Sequence, residues 1–419
     1  MVWEWSLKGV VNFFLATVLA GVGVVTDASD VENAAALYGE LSVLENYADP
    51  ELRSGHDLFR PLTDAMAGYF DFKDRLSDKQ GLAYSIEIAP QFQWGLDGGY
   101  TANNETNLIL QWAAVDASDS KRGSLLAWYQ FANTLSDLNT SQFMDRIGVI
   151  SPVNGGDTAP GTANQLWQML AWEQWFADDA LRFGVGKLTT RTFLNLNRYA
   201  VSDREDFFSP MLVNNPVSPF AARNGMGAFG QYHFESSYLT TMLREADGTS
   251  TDISFDTLDS GKWEGAVELG LTPDIDGLGK GYYRFTTYYT DAIGSGVNLQ
   301  PHGWSAALSF DQDFGEKYAG LFRYAWASED YRAFKQRVAI GAHVKTPMRF
   351  ENDRIGIAAW WAESTAPLLD NETGLEVFWK LQLAPYLEFT PDLQVIFNPQ
   401  QDPSRSSVFV ANLRLRVVL

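Results

Sequence analysis

The residues of this chain that can do chemistry are charged and aromatic side chains recurring at every second position, because the usual catalytic constellations are missing. Cysteine is absent, so neither a disulfide framework nor a thiolate metal site is available. The four histidines, His56, His233, His302 and His343, show no metal-ligand spacing. The stretch GLGKG at 277–281 is too short for a phosphate-cradling loop and lies in a turn-rich piece. Paired carboxylates hydrolyse glycosides, yet no pair stands out among the 52 acidic residues. The chain is therefore read as a non-enzyme with no metal and no cofactor. What remains is a set that the alternation places on one face: Arg182, Arg284, Arg323, Arg337, His343, Lys345, Arg354, Lys380, Arg414 and Arg416, with the acids Glu264, Glu268 and Glu376. Tyr288, Trp360 and Phe378 share that face, where they either stack on a solute or fill space against an inward loop. Charged groups hydrogen-bond hydroxyls, and aromatic rings stack on apolar C–H faces. Such a wall suits weak, reversible binding of a polar solute rather than a reaction. It suits equally the plainer role of ordinary wall charges, solvated or paired across strands.

The elements that position these side chains are strands. From about Gly81 the pattern has period two: LAYSIEIAPQFQW, WEGAVELGL, GYYRFTTYY, YAGLFRYAWA, RVAIGAHVK, GLEVFWKLQL and VFVANLRLRVVL. In 375–383 Leu375, Val377, Trp379, Leu381 and Leu383 alternate with Glu376, Phe378, Lys380 and Gln382. A side-chain period of two puts these sets on opposite faces of a sheet. Turn-rich pieces such as TPDIDGLGKG and NPQQDPSRS separate the segments, and no internal repeat suggests a propeller. Pro391 interrupts one strand, where a bulge or a local break is expected.

The chain ahead of these strands differs. Lys8, the apolar run 10–25 and the following TDASD have the order of a secretory signal, assigned to 1–28. Residues 29–80 have helical spacing, with Leu58, Leu62, Met66 and Phe70 at four-residue steps, and are expected to be periplasmic or in a pore mouth. No other long apolar run argues for spanning helices. With 31 basic against 52 acidic residues, the chain lacks the overall basic balance of a nucleic-acid binder.

A soluble sandwich also alternates, but one core would then have to serve more than 330 residues of almost uninterrupted strands. The apolar faces also carry Trp304, Trp326, Trp361, Trp379, Tyr283, Tyr289 and Phe322, several near strand ends, as in the aromatic girdles of outer-membrane barrels. The expected fold is all-β, a transmembrane antiparallel barrel over 81–419 with a short helical segment before it. At roughly 21 residues per strand and connection, that length gives about 16 strands, enough to leave an aqueous channel. Lys187, Arg191, Asn195, Asn197 and Arg198 follow a strand in an irregular piece that either folds inward as a constriction or forms a surface loop.

The sequence ETGLEVFWKLQLAPYLEFTPDLQVIFNPQQDP followed by VFVANLRLRVVL resembles the C-terminal signature of the carbohydrate-selective porins, the OprB family. The stretch 181–216, with Gly186, Lys187, Asn197, Phe207 or Phe208 and Asn215-Pro216, is similar to a second family motif. Two departures are Leu419, where such barrels commonly end in Phe, and Asn195, where an Asp is usual. The resemblance spans 50–419. It implies a monomeric outer-membrane barrel with a basic eyelet through which sugars diffuse into the periplasm. Its partners would be sugar solutes, outer-membrane lipid and, through the last strand, the barrel-assembly machinery. Two other readings stay open: the same barrel passing anions or uronates, and a soluble all-β sugar-binding protein or glycosidase.

Overall fold

The structure, a computed structural model, describes residues 59–419 apart from 97, 116–122, 157–162, 178–179, 219–223, 295–298, 349 and 351–352. The signal segment assigned to 1–28 and the first part of the helical segment, 29–58, lie outside the described residues.

Helix α1 (Arg60–Gln80) carries Pro61 in its first turn, where the missing N–H costs nothing. It ends at Gly81, whose φ of +63° is the left-handed cap that glycine adopts without strain. A Cβ there would also meet the Ala113 carbonyl oxygen at 2.7 Å. Of its apolar stripe only Phe70 is buried, with its ring 6.4 Å from that of Tyr386, whereas Leu62 is exposed.

Sixteen long strands follow among the described residues: β1 (Leu82–Gly95), β2 (Tyr100–Val115), β3 (Gly123–Thr134), β4 (Ala163–Phe176), β5 (Leu181–Leu188), β6 (Gly225–His233), β7 (Ser237–Glu245), β8 (Trp263–Leu271), β9 (Gly279–Thr290), β10 (Gly303–Phe314), β11 (Tyr318–Ala327), β12 (Phe334–Lys345), β13 (Arg354–Ser364), β14 (Glu372–Ala384), β15 (Leu387–Phe397) and β16 (Ser407–Val418). A two-residue strand, Asp274–Ile275, pairs with the start of β9. Each long strand is antiparallel to the next, and β1 pairs with β16 in the register Glu87↔Val418 and Gln93↔Asn412, which closes the barrel. Closure satisfies the backbone groups that an open edge would leave unpaired. At Pro391 the β15–β16 ladder is intact, but pairing to β14 is interrupted between Asp392↔Phe378 and Phe389↔Leu381. The expected local break is there. The register shift lies elsewhere, at Gln382/Ala384 beside the turn.

The alternation sorts the side chains as period two requires. In β14 Leu375, Val377 and Trp379 are each more than a third exposed, while Glu376, Phe378, Lys380 and Gln382 are buried inside the barrel. The outer surface is aliphatic in the middle, at Leu269, Ile340, Ile357 and Leu393, with exposed aromatics near strand ends, at Trp94, Tyr100, Trp304 and Trp326 on one rim and Trp112, Phe176, Phe314 and Tyr318 on the other. Trp304 and Phe314 stand ten residues apart at opposite ends of β10. At about 3.3 Å per residue and a tilt of roughly 40° that is a band about 25 Å tall, the thickness of the apolar belt on membrane barrels.

Connections at one end are short, with two residues between β14 and β15 and three between β10 and β11. At the other end they include 135–162 and 189–224. The described parts of both, 135–156 and 189–218, fold into the barrel. The first carries α2 (Thr140–Ile147), opened by a reciprocal Asn139–Gln142 capping box. The second carries α3 (Pro210–Val213), and Phe193, Leu194, Phe207, Met211 and Leu212 along it are buried in the apolar part of the core.

Candidate functional site

The segment 189–218 spans the lumen because the barrel wall supplies charged and polar partners to its side chains and backbone on both sides. On one side Arg204 bonds Glu87 at 2.9 Å and Glu105 at 2.8 Å, two carboxylates on β1 and β2. Arg416 joins Glu87 at 2.6 Å and Glu388 at 3.1 Å and reaches Glu205 at 3.5 Å. Lys380 lies 3.6 Å from Glu205, and Arg354 holds Asp206 at 3.1 Å. Arg414 donates to the carbonyls of Asp203, Glu205 and Asp206. Glu376 accepts the Phe208 N–H at 2.5 Å and the Ser209 N–H at 3.1 Å. The run Asp203–Ser209 is thereby fixed on strands β1, β2 and β13 to β16. Burial pushes the Glu205 carboxyl upward, but Arg416, Lys380, Arg354 and Arg414 outweigh it and hold it at about 2.

The opposite wall holds the segment's other stretches. Arg198 pairs with Asp311 at 2.5 Å and Asp313 at 2.9 Å. Asn197 donates to Ser309 Oγ and the Phe310 carbonyl, both at 3.2 Å, and the Asn195 N–H donates to Glu268 at 2.5 Å. Arg323 donates to the carbonyls of Asn195, Leu212 and Val213, and Arg337 to those of Met211 and Asn214. The second inward segment meets the first where the Gly155 N–H donates to Asp203 at 3.0 Å. A Cβ on Gly155 would lie 2.2 Å from that carboxylate, so the approach requires glycine.

Among the described residues two cavities stand beside these segments, the first lined by apolar as well as polar groups. One, of about 50 Å3, is lined by Arg191, Asn195, Asn197, Asn214, Asn215, Ser218, Tyr288 and Arg323 among others. The other, of about 120 Å3, is lined by Glu105, Gln130, Asn164, Gln168, Asn224, Ser250 and again Arg191, with Gly155 and Gly156. Arg191 borders both. A binding pocket for a drug-sized ligand measures roughly 300–1,000 Å3, so these are polar niches that contact part of a solute. Amides and hydroxyls, which both donate and accept, replace water around hydroxyl groups without preferring one orientation.

The sequence-derived residues divide by environment. Arg191, Asn195, Asn197 and Arg323 line a cavity. Arg198, Arg337, Arg354, Glu376, Lys380, Arg414 and Arg416 face inward and grip the crossing segment. The other inward residues are held by the wall. Arg182 pairs with Glu173 at 2.7 Å, Arg284 with Asp311 at 2.9 Å and Lys345 with Asp313 at 3.0 Å. Lys187 donates to the Asn224 carbonyl at 3.2 Å and to that of Thr249. His343 sits among the rings of Tyr199, Phe207 and Phe378, and Trp360 is buried against Gly374. Phe378 meets Phe207 edge to face at 4.8 Å, so these aromatics pack against the inward segment. Sequence reasoning passed over Glu105, Gln130, Gln168 and Asn224. The inward parity of Gln130 in LLAWYQFANT was available as a signal; the placement of Asn224 was not, because it stands just before β6, outside any alternation.

Among solved structures, the chain is similar to Pseudomonas putida OprB at high pH, with a TM-score of 0.69 and 14% identity over 84% of this chain and 97% of that one. The low-pH structure of the same protein gives a TM-score of 0.54 at 14% identity, over 84% and 98%. At these identities the likeness speaks for the barrel fold. No curated protein sequence matches the chain. The family model for the carbohydrate-selective porin, OprB family, matches residues 129–419, which include strands β4 to β16, the crossing segment and the terminal strand but not β1 and β2. On that match, the chain belongs to the carbohydrate-selective porin family, OprB.

Proposed function

We propose that this barrel sits in a bacterial outer membrane and lets sugars, as monosaccharides or small oligosaccharides, diffuse passively into the periplasm. The observation that carries the reading is the crossing segment 189–218, which narrows a closed sixteen-stranded lumen to amide-lined niches that meet at Arg191. The long-connection end faces outward and the short-turn end faces the periplasm, as outer-membrane barrels are built. Helix α1 then stands at the periplasmic mouth. The outward set of β16, Phe409, Ala411, Leu413, Leu415 and Val417, contacts lipid and presents the strand that the assembly machinery reads.

Transit needs weak binding at successive sites, and the two niches sharing one arginine provide it. The test is swelling of liposomes loaded with the purified protein in sugars of rising size. Glucose and a disaccharide should enter at rates that fall with size, and Arg191→Ala should raise single-channel conductance. No swelling with any sugar, from a protein that conducts ions, would overturn the reading.

A further inference from the structure

We propose that the niche lined by Asn195 and Arg323 binds the carboxylate of a polyhydroxy acid, an aldonate or uronate, so that the channel favours acidic over neutral sugars. This rests on the channel reading above and names the solute class. The argument begins with how the buried arginines are balanced. Arg182, Arg198, Arg204, Arg244, Arg284, Arg354 and Arg416 each have a carboxylate within ion-pair distance. Arg323, Arg337 and Arg414 instead donate to carbonyl oxygens of the crossing segment, and of the three only Arg323 lines the niche. A carbonyl is a dipole and does not cancel a unit charge; the carboxylates that act on Arg323 are Asp311, already paired with Arg198 and Arg284, and Glu268, which holds the Asn195 N–H, and neither lines the niche. Burying an uncompensated charge is costly, and proteins keep one where it binds something of opposite sign.

The niche also has open valences of both kinds. Arg323 Nε is buried with no acceptor, and Asn195 Oδ1 is buried with no donor. Asn195 holds φ at +54°, an uncommon backbone state for a residue with a side chain, and its N–H is committed to Glu268. The first atom is a charged donor for a carboxylate oxygen; the second is an acceptor for a hydroxyl on a neighbouring carbon. Among the described residues no Asp or Glu lines this niche. A group of about 50 Å3 fits a carboxylate with its adjoining hydroxyl, while the rest of the solute extends past Arg191.

The experiment compares gluconate, glucuronate and glucose in the same proteoliposomes and records the zero-current potential across a bilayer in a KCl gradient. The expected result is anion selectivity and faster entry of the two acids than of glucose, with that ratio falling severalfold in Arg323→Gln and retained in Arg323→Lys. If the Gln variant does not yield a heat-modifiable barrel, the same comparison in Arg337→Gln decides. Glucose entry with cation selectivity, or an acid-to-glucose ratio unchanged in the Gln variant, overturns this inference alone. A protein that passes neither acids nor glucose overturns the channel reading as well.

Discussion

At the scale of single residues, the inward charges serve chiefly to hold a segment of chain. Arg204 is the clearest case, because its guanidinium separates the Glu87 and Glu105 carboxylates and also lies under the Trp128 ring at 5.8 Å. Arg204→Gln removes the cation that Glu87 and Glu105 share, while Glu87 keeps Arg416, so the cost lies at the low end of the range for breaking a buried pair, about 3 kcal/mol. The expected outcome is a barrel that still forms but whose crossing segment is cut by protease at 198–209, checked by mapping the fragments. Protection equal to wild type would show that the remaining anchors suffice. The face on which Arg414 and Arg416 sit was legible from the alternation. Their partners were not: Arg414 meets carbonyls more than 200 positions away, and no local pattern encodes that pairing.

At the scale of elements, the strands and their faces follow from period two, whereas the two inward segments follow from contacts between them. Those segments touch at Gly155 against Asp203, and also where the Ser209 hydroxyl donates to the Pro152 carbonyl at 2.8 Å. Gly155→Val drives a branched side chain into a carboxylate held by the segment that Arg204 fixes, so one segment must move. Single-channel records should show conductance changed and noisier, with the strand content by circular dichroism unaltered; a record like wild type would mean the contact is slack. The helical stretch before β1 was legible as a helix. Its loose seating was not, since the apolar step of four residues reads as a buried face and only Phe70 is covered.

At the scale of the whole molecule, the outer surface carries an apolar band bounded by aromatic rims, which no water-soluble protein of this size exposes. The purified protein should require detergent and migrate faster on a gel before boiling than after; a detergent-free monomer would refute the membrane reading. The charge network adds a pH dependence. Glu205 has its folded value lowered to about 2, so its contribution is complete above the ordinary carboxylate value and fades as pH falls toward 2. Channel conductance should therefore be steady from neutral pH to about 5 and drift as the crossing segment loosens below about pH 4; indifference down to pH 2 would remove Glu205 from the anchoring set. By itself the sequence determined the all-β architecture, the approximate strand number, which residues face outward and which face the lumen, and the family signature. All of these rest on short-range periodicity or on contiguous motifs. Only the tertiary structure decided that 189–218 crosses the lumen, that most inward charges are spent on holding it, and that Arg323, Arg337 and Arg414 meet carbonyls rather than carboxylates among the described residues. Those outcomes depend on which groups meet across a closed wall after 100 or more intervening residues, and electrostatic partnership at that range leaves no trace in local order along the chain.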